Sequence, residues 1–137
     1  MSESSLASKL KLRGGQRAAL INAPDSYRKD LGKVPPGVTF SEKLAGTFDW
    51  IQVFARNQAE LRRLAPRAVR ALRAEGLLWI SFPKGTSSIQ TDLTRDTGWE
   101  ALRGHELKWV TLVSVNQTWS AFAMRPYTPG EERRSFR

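Results

Sequence analysis

Apolar residues in this chain fall into short continuous runs closed by glycine, proline or small polar residues, and one long stretch carries a helical period. Arg17 to Asn22 lies between Gly15 and Pro24 with apolar residues at successive positions, which predicts a strand buried on both faces. Val38 to Lys43 predicts an edge strand, and the aromatic and β-branched Phe48 to Ala55 a central one. Leu77 to Phe82 is a further apolar strand. Leu107 to Val115 and Trp119 to Met124, joined by Asn116-Gln117-Thr118, predict a hairpin.

Helical pattern fills the gaps. Asp25 to Leu31 predicts a short helix stopped by Gly32 and Pro35-Pro36-Gly37. Asn57 and Glu60 form a capping-box pattern, from which a helix runs to about Ala74. Leu61, Leu64, Ala65, Ala68 and Leu72 share one face, and Arg62, Arg63, Arg67, Arg70 and Arg73 the other. Pro66 predicts a kink or a division of this helix, and Gly76 a C-cap. Thr91 to Leu102 predicts a third helix, capped by Thr91, with Asp92 and Asp96 near the positive end of its dipole and Gly104 as its stop. Residues 1–15 form a flexible or short helical start with one turn around Leu6 to Leu10; residues 16–126 form one α/β domain, and residues 127–137 a polar tail, mobile from Glu131 onward.

The order β-α-β-β-α-β-α-β-β implies right-handed crossovers and a parallel sheet. The expected fold is a three-layer α/β domain: a mostly parallel six-stranded sheet, helices on both faces, and a C-terminal antiparallel hairpin. Trp50, Trp79 and Trp109 fall inside strands, and Trp99 is expected against the sheet. Trp119 is the tryptophan expected to be exposed near an edge.

Phe48-Asp49-Trp50-Ile51-Gln52-Val53, the helix after it, and Arg73-Ala74-Glu75-Gly76-Leu77-Leu78-Trp79-Ile80 resemble the central strand, helix and following strand of a class I methyltransferase. That family also ends in a helix and an antiparallel hairpin. From Leu6 to Met124 the chain also resembles a group of short uncharacterised bacterial proteins of this type, through Leu20-Ile21-Asn22-Ala23-Pro24, Leu78-Trp79-Ile80-Ser81-Phe82-Pro83-Lys84 and Thr91-Asp92-Leu93-Thr94-Arg95-Asp96. The resemblance implies a truncated, degenerate Rossmann-like architecture. It departs from the enzymes at one place. Their first strand is followed by a glycine-rich turn that lets the backbone approach S-adenosylmethionine. Here Asn22-Ala23-Pro24-Asp25-Ser26-Tyr27 contains no glycine, and Pro24 removes a donor. The departure implies no cofactor, although Glu42, about 20 residues on, stands where an acid can meet a ribose.

Charge widens the range of partners. The chain has 137 residues and a net charge of +9, mostly from arginine, which favours nucleic acid or an anionic ligand. There is no cysteine, which excludes disulfides and thiolate metal sites. The chain shows no signal-peptide pattern and no apolar run near the ~20 residues of a membrane span, so a bacterial-type cytoplasmic protein is expected.

Ligands of open parallel sheets sit beyond the carboxyl ends of the strands, where the strand order reverses. The loops expected there are Asn22 to Ser26, Ala55 to Gln58 and Ser81 to Ser88. Lys84 among Thr86, Ser87 and Ser88 is the best anion-receiving set. Asn22, Lys84, Ser87 and Asp92 are the candidate ligand-binding residues. Asp92, Arg95 and Asp96 fit one helix face as an intrahelical ion pair. His105, the single histidine, is expected as an ordinary surface residue, and no catalytic or metal-ligating set is identified. The leading expectation is a non-catalytic methyltransferase-like domain that binds a small anionic ligand or a protein partner. The alternatives are a nucleic-acid-binding module using Arg62, Arg63, Arg67, Arg70 and Arg73, and a divergent S-adenosylmethionine-dependent methyltransferase.

Overall fold

The structure, a computed structural model, describes residues 5–132. One six-stranded sheet contains β1 (Arg17–Ile21), β2 (Thr39–Ser41), β3 (Phe48–Phe54), β4 (Leu72–Pro83), β5 (Leu107–Ser114) and β6 (Trp119–Pro126), in the order β2-β1-β3-β4-β6-β5. β1 pairs in parallel with β2 and β3, and β3 with β4. β6 is antiparallel to both β4 and β5, so the hairpin closes one side. The chain leaves β1 toward β2 and returns across β1 to β3, which places the reversal of strand order between β1 and β3.

The helices are α1 (Leu6–Lys9), α2 (Tyr27–Asp30) and α3 (Gln58–Ala71), with a single 3₁₀ turn at Glu100–Leu102. Side chains alternate across the sheet as the strand period requires. Ile51, Val53, Leu78, Ile80 and Phe122 face α3 and the 3₁₀ turn, while Trp50, Phe54, Trp79, Ala121 and Ala123 face α1 and α2. Burying a leucine such as Leu61 or Leu64 of α3 contributes about 1.5–3 kcal/mol.

The α1 side is held by directed bonds. Trp50 and Trp79 both donate their indole N–H to the Leu10 carbonyl, each at 2.8 Å. One carbonyl thus satisfies two buried donors and fixes α1 to two neighbouring strands. Tyr27 donates to Gln52 Oε1 at 2.9 Å, and Gln52 donates to Ser81 Oγ at 2.9 Å. Burial pushes the Tyr27 hydroxyl above its ordinary range, so it stays protonated and donating.

Four local expectations change. Residues 91–102 form no long helix. Thr91 and Thr94 accept from the backbone N–H groups of Leu93 and Asp96, at 3.0 and 3.3 Å, and this local bonding competes with helix formation. Gly98 sits at φ 101°, where a Cβ would meet Leu93 Cδ2 at 2.7 Å. Asp92, Arg95 and Asp96 therefore do not share a helix face. Gly76 is not a cap: α3 ends at Ala71, Leu72 is already extended, and the glycine lies inside β4. Leu72 pairs with Phe48 and Leu77 with Trp50, so Arg73 to Gly76 bulge outward. A Cβ on Gly76 would meet Leu72 Cδ1 at 2.6 Å, which explains the glycine by packing. Third, α3 runs undivided through Pro66, because its buried face holds it against the sheet on both sides of the proline. Fourth, Trp119 is buried at 5% exposure and packs edge-on against Phe54 at 5.0 Å.

The ends of the described chain are tied down. Ser5 caps α1 by accepting from Ser8 N, and Ala7, Leu10 and Leu12 are buried. Glu131 ion-pairs with Lys108 and Arg125, each at 2.8 Å. That holds the segment after β6 where mobility was expected; residues 133–137 lie outside the described residues. No helix among the described residues is long and apolar enough to cross a membrane.

Candidate functional site

The turn after β1 is built without glycine. Asn22 adopts φ 62°, the left-handed region, which asparagine enters more readily than other non-glycine residues. Its amide donates to Phe54 O at 2.8 Å and to Glu60 Oε1 at 3.1 Å. These bonds bridge β1, β3 and the first turn of α3 across the point where the strand order reverses.

Glu60 is the hub of this lock. It accepts from Arg56 N at 2.8 Å and from the Arg56 guanidinium at 2.7 Å, while Asn57 Oδ1 accepts from Glu60 N at 2.9 Å. The expected capping box is half formed: Asn57 caps Glu60, and Glu60 reaches back to Arg56 instead. Partial burial opposes ionisation of Glu60, but the bonds from Arg56 and Asn22 outweigh it and hold its carboxyl below the usual range.

Beside this lock lies a cleft of about 590 Å³, lined by Asn22, Pro24, Asp25, Arg28, Phe40 and Glu42 among others. Its size falls within the roughly 300–1,000 Å³ of small-molecule sites. The Arg28 guanidinium stacks on the Phe40 ring, 3.9 Å from its centroid. Glu42, directly after β2, lines the same cleft as Asn22. Two carboxylates and one guanidinium thus converge at the ends of β1 and β2.

The four candidate ligand-binding residues lie on different cavities and loops. Asn22 lines the cleft, with its amide engaged in the lock. Lys84 and Ser87 line a second pocket of about 760 Å³, formed with Thr94 and Leu112. The Lys84 ammonium donates to Ser114 Oγ at 2.6 Å. The Ser87 hydroxyl donates to Lys84 O and accepts from Ile89 N, which makes it part of the turn. Asp92 Oδ1 accepts from Gln58 N at 2.8 Å, and Gln58 Nε2 donates to Asp92 O at 2.9 Å. Asp92 therefore caps α3 from another loop, and its carboxylate occupies the helix terminus that an anion would seek.

Arg62, Arg63, Arg67 and Arg70 are exposed on α3. Arg73 leaves the stripe, because it belongs to β4 and pairs with Asp49 at 2.7 Å. His105 is half-buried in the turn after the 3₁₀ segment. Among the described residues no group of three or more His, Asp or Glu comes together that would hold a metal ion. Sequence reasoning passed over Arg28 with Phe40, a contact 12 positions apart with no local signature. It also read Glu60 as a cap and not as a bridge to Asn22.

The arrangement of strands is shared with solved structures. TrmN from Thermus thermophilus superposes with a TM-score of 0.58 at 10% identity, over 89% of this chain and 47% of that one. Precorrin-6y C5,15-methyltransferase from Geobacter metallireducens gives 0.55 at 15% identity, over 89% and 85%. A TehB-like SAM-dependent methyltransferase from Corynebacterium glutamicum gives 0.54 at 11% identity, over 92% and 90%. The fold is methyltransferase-like. The methyltransferase-like domain spans about half the length of TrmN. No protein-family model and no curated protein matches its sequence. At these identities the likeness concerns the fold alone.

Proposed function

We propose that this methyltransferase-like domain binds a nucleoside-type ligand, S-adenosylmethionine being the form its fold implies, in the cleft at the ends of β1 and β2. One observation carries the reading: Glu42, at the end of β2, shares a cleft of about 590 Å³ with the left-handed Asn22 at the end of β1. A carboxylate in that place accepts hydrogen bonds from ribose hydroxyls. Asn22 supplies a left-handed residue in this turn, and its amide is turned to Phe54 O and Glu60.

The residues fit the nucleoside better than an anion. Asp25 and Glu42 present acceptors, and Arg28 on Phe40 gives a flat, partly apolar wall. S-adenosylmethionine, when bound, supplies an electrophilic methyl group. This chain's own residues bind and orient: Glu42 holds the ribose, and the Asn22–Glu60 bond fixes the turn beside it. Arg56 and Glu60 are engaged with each other and receive no proton-transfer role. The reading is therefore of a binding domain, with no catalytic residue assigned.

Thermal unfolding with added S-adenosylmethionine tests it. At ten times Kd the ligand stabilises by about 1.4 kcal/mol, a rise of roughly 4 °C in a domain of this size. Glu42→Gln should abolish the rise, and Lys84→Ala should leave it. No rise at millimolar ligand would remove the proposal. Loss in Lys84→Ala with retention in Glu42→Gln would move the ligand to the second pocket.

A further inference from the structure

The exposed face of α3 is charged with one sign only. Arg62, Arg63, Arg67 and Arg70 make no hydrogen bond or ion pair among the described residues. A face designed only for water would set glutamate against these arginines at helical spacing. Here Arg63, Arg67 and Arg70 follow each other at i, i+4 and i+7, so like charges are neighbours and cost about 0.2–0.5 kcal/mol per pair. The one acid of α3, Glu60, is engaged by Arg56 and Asn22.

A groove continues from these arginines. Arg67 and Arg70 border a shallow depression with Leu44 and Gly46. Arg67 and Leu44 also line a groove of about 460 Å³ with Lys43 and Glu42. Glu42 lines the strand-end cleft as well. A track bordered by Arg70, Arg67 and Lys43 therefore leads over the segment between β2 and β3, and it ends at Glu42.

We infer that α3 binds the phosphodiester backbone of a single-stranded nucleic acid that runs along this track. From Arg63 to Arg70 the helix advances about 10 Å, long enough for its three guanidinium groups to reach neighbouring phosphates of one strand. Guanidinium forks suit phosphate oxygens. The shallow, exposed track fits an extended strand. This inference concerns α3 and does not depend on what the cleft holds.

Binding of labelled, mixed-sequence single-stranded RNA is measured over a salt series, with single-stranded DNA and duplex RNA as parallel arms. Wild-type protein should bind single strands of both sugars at low salt and lose affinity steeply as salt rises. Arg63→Gln/Arg67→Gln/Arg70→Gln should lower the log–log salt slope by about 2, at about 0.7 per contact, with a melting temperature no lower than wild type, since the like-charge pairs are relieved. The corresponding glutamate triple variant should abolish binding. No wild-type binding at low salt, an unchanged slope in the glutamine variant, or equal binding of the duplex would overturn the inference. The readout uses no nucleoside, so its failure is separate from failure of the cleft to bind S-adenosylmethionine.

Discussion

Asn22 shows how this turn forms without glycine. What the chain needs after β1 is one residue at positive φ, and Asn22 provides it at 62°. Its side chain then donates to Phe54 O and Glu60, which no glycine can do. The two contributions separate by substitution. Asn22→Gly keeps the backbone state and loses the side-chain bonds, at about 0.5–1.5 kcal/mol each. Asn22→Ala loses the bonds and adds a left-handed penalty of roughly 1–2 kcal/mol. Urea unfolding should therefore place alanine below glycine by about 1 kcal/mol. Equal midpoints would show that the left-handed state carries no cost here. Glu42 and Asn22 were both visible in the sequence. The Arg28–Phe40 wall of their cleft was not, because that contact is made only once β2 has paired with β1.

The same contrast holds for whole elements. Strands built from continuous apolar runs were legible, since Arg17–Ile21, Phe48–Phe54 and Trp119–Pro126 are set by burial of successive residues. Alternation and turn residues also revealed the hairpin. The segment 91–102 misled because its spacing of Thr, Asp and Arg suits a helix, while the same short side chains bond the backbone locally. Asp92 also has a long-range partner that its local sequence does not announce: it caps α3 through Gln58 N. Asp92→Ala should cost about 0.5–2 kcal/mol, the range of a lost helix cap. Ligand binding in the cleft should persist in that variant. A stability loss below the experimental error in denaturant unfolding would remove the cap. A specific loss of ligand binding at unchanged stability would restore Asp92 to the site.

At the scale of the molecule, three carboxylates sit where separate parts of the sheet are joined. Asp49 accepts from Arg17 N at 2.8 Å and pairs with Arg73, joining β1, β3 and β4 at one end. Glu60 locks the other end, and Glu131 ties the segment after β6 to Lys108 and Arg125. The bond from Arg17 N, opposed by slight burial and helped by Arg73, holds Asp49 below the usual carboxylate range. Hydrogen bonds from Arg125 and Lys108 do the same for Glu131. A carboxyl depressed in the folded state stabilises above its unfolded pKa of about 4, and that contribution is lost as pH falls through the folded value. Unfolding midpoints should accordingly stay level from neutral pH to about 5 and fall below about 4. Protonation also raises an already positive net charge, so self-repulsion would give a similar fall. The two causes respond differently. Added salt relieves global repulsion and restores acid stability, whereas it screens exposed partners such as Arg73, which is 50% exposed, and restores nothing. Asp49→Asn should lower stability at neutral pH and flatten the acid limb. An acid limb that salt removes and Asp49→Asn leaves intact would assign acid unfolding to net charge instead of to these joints.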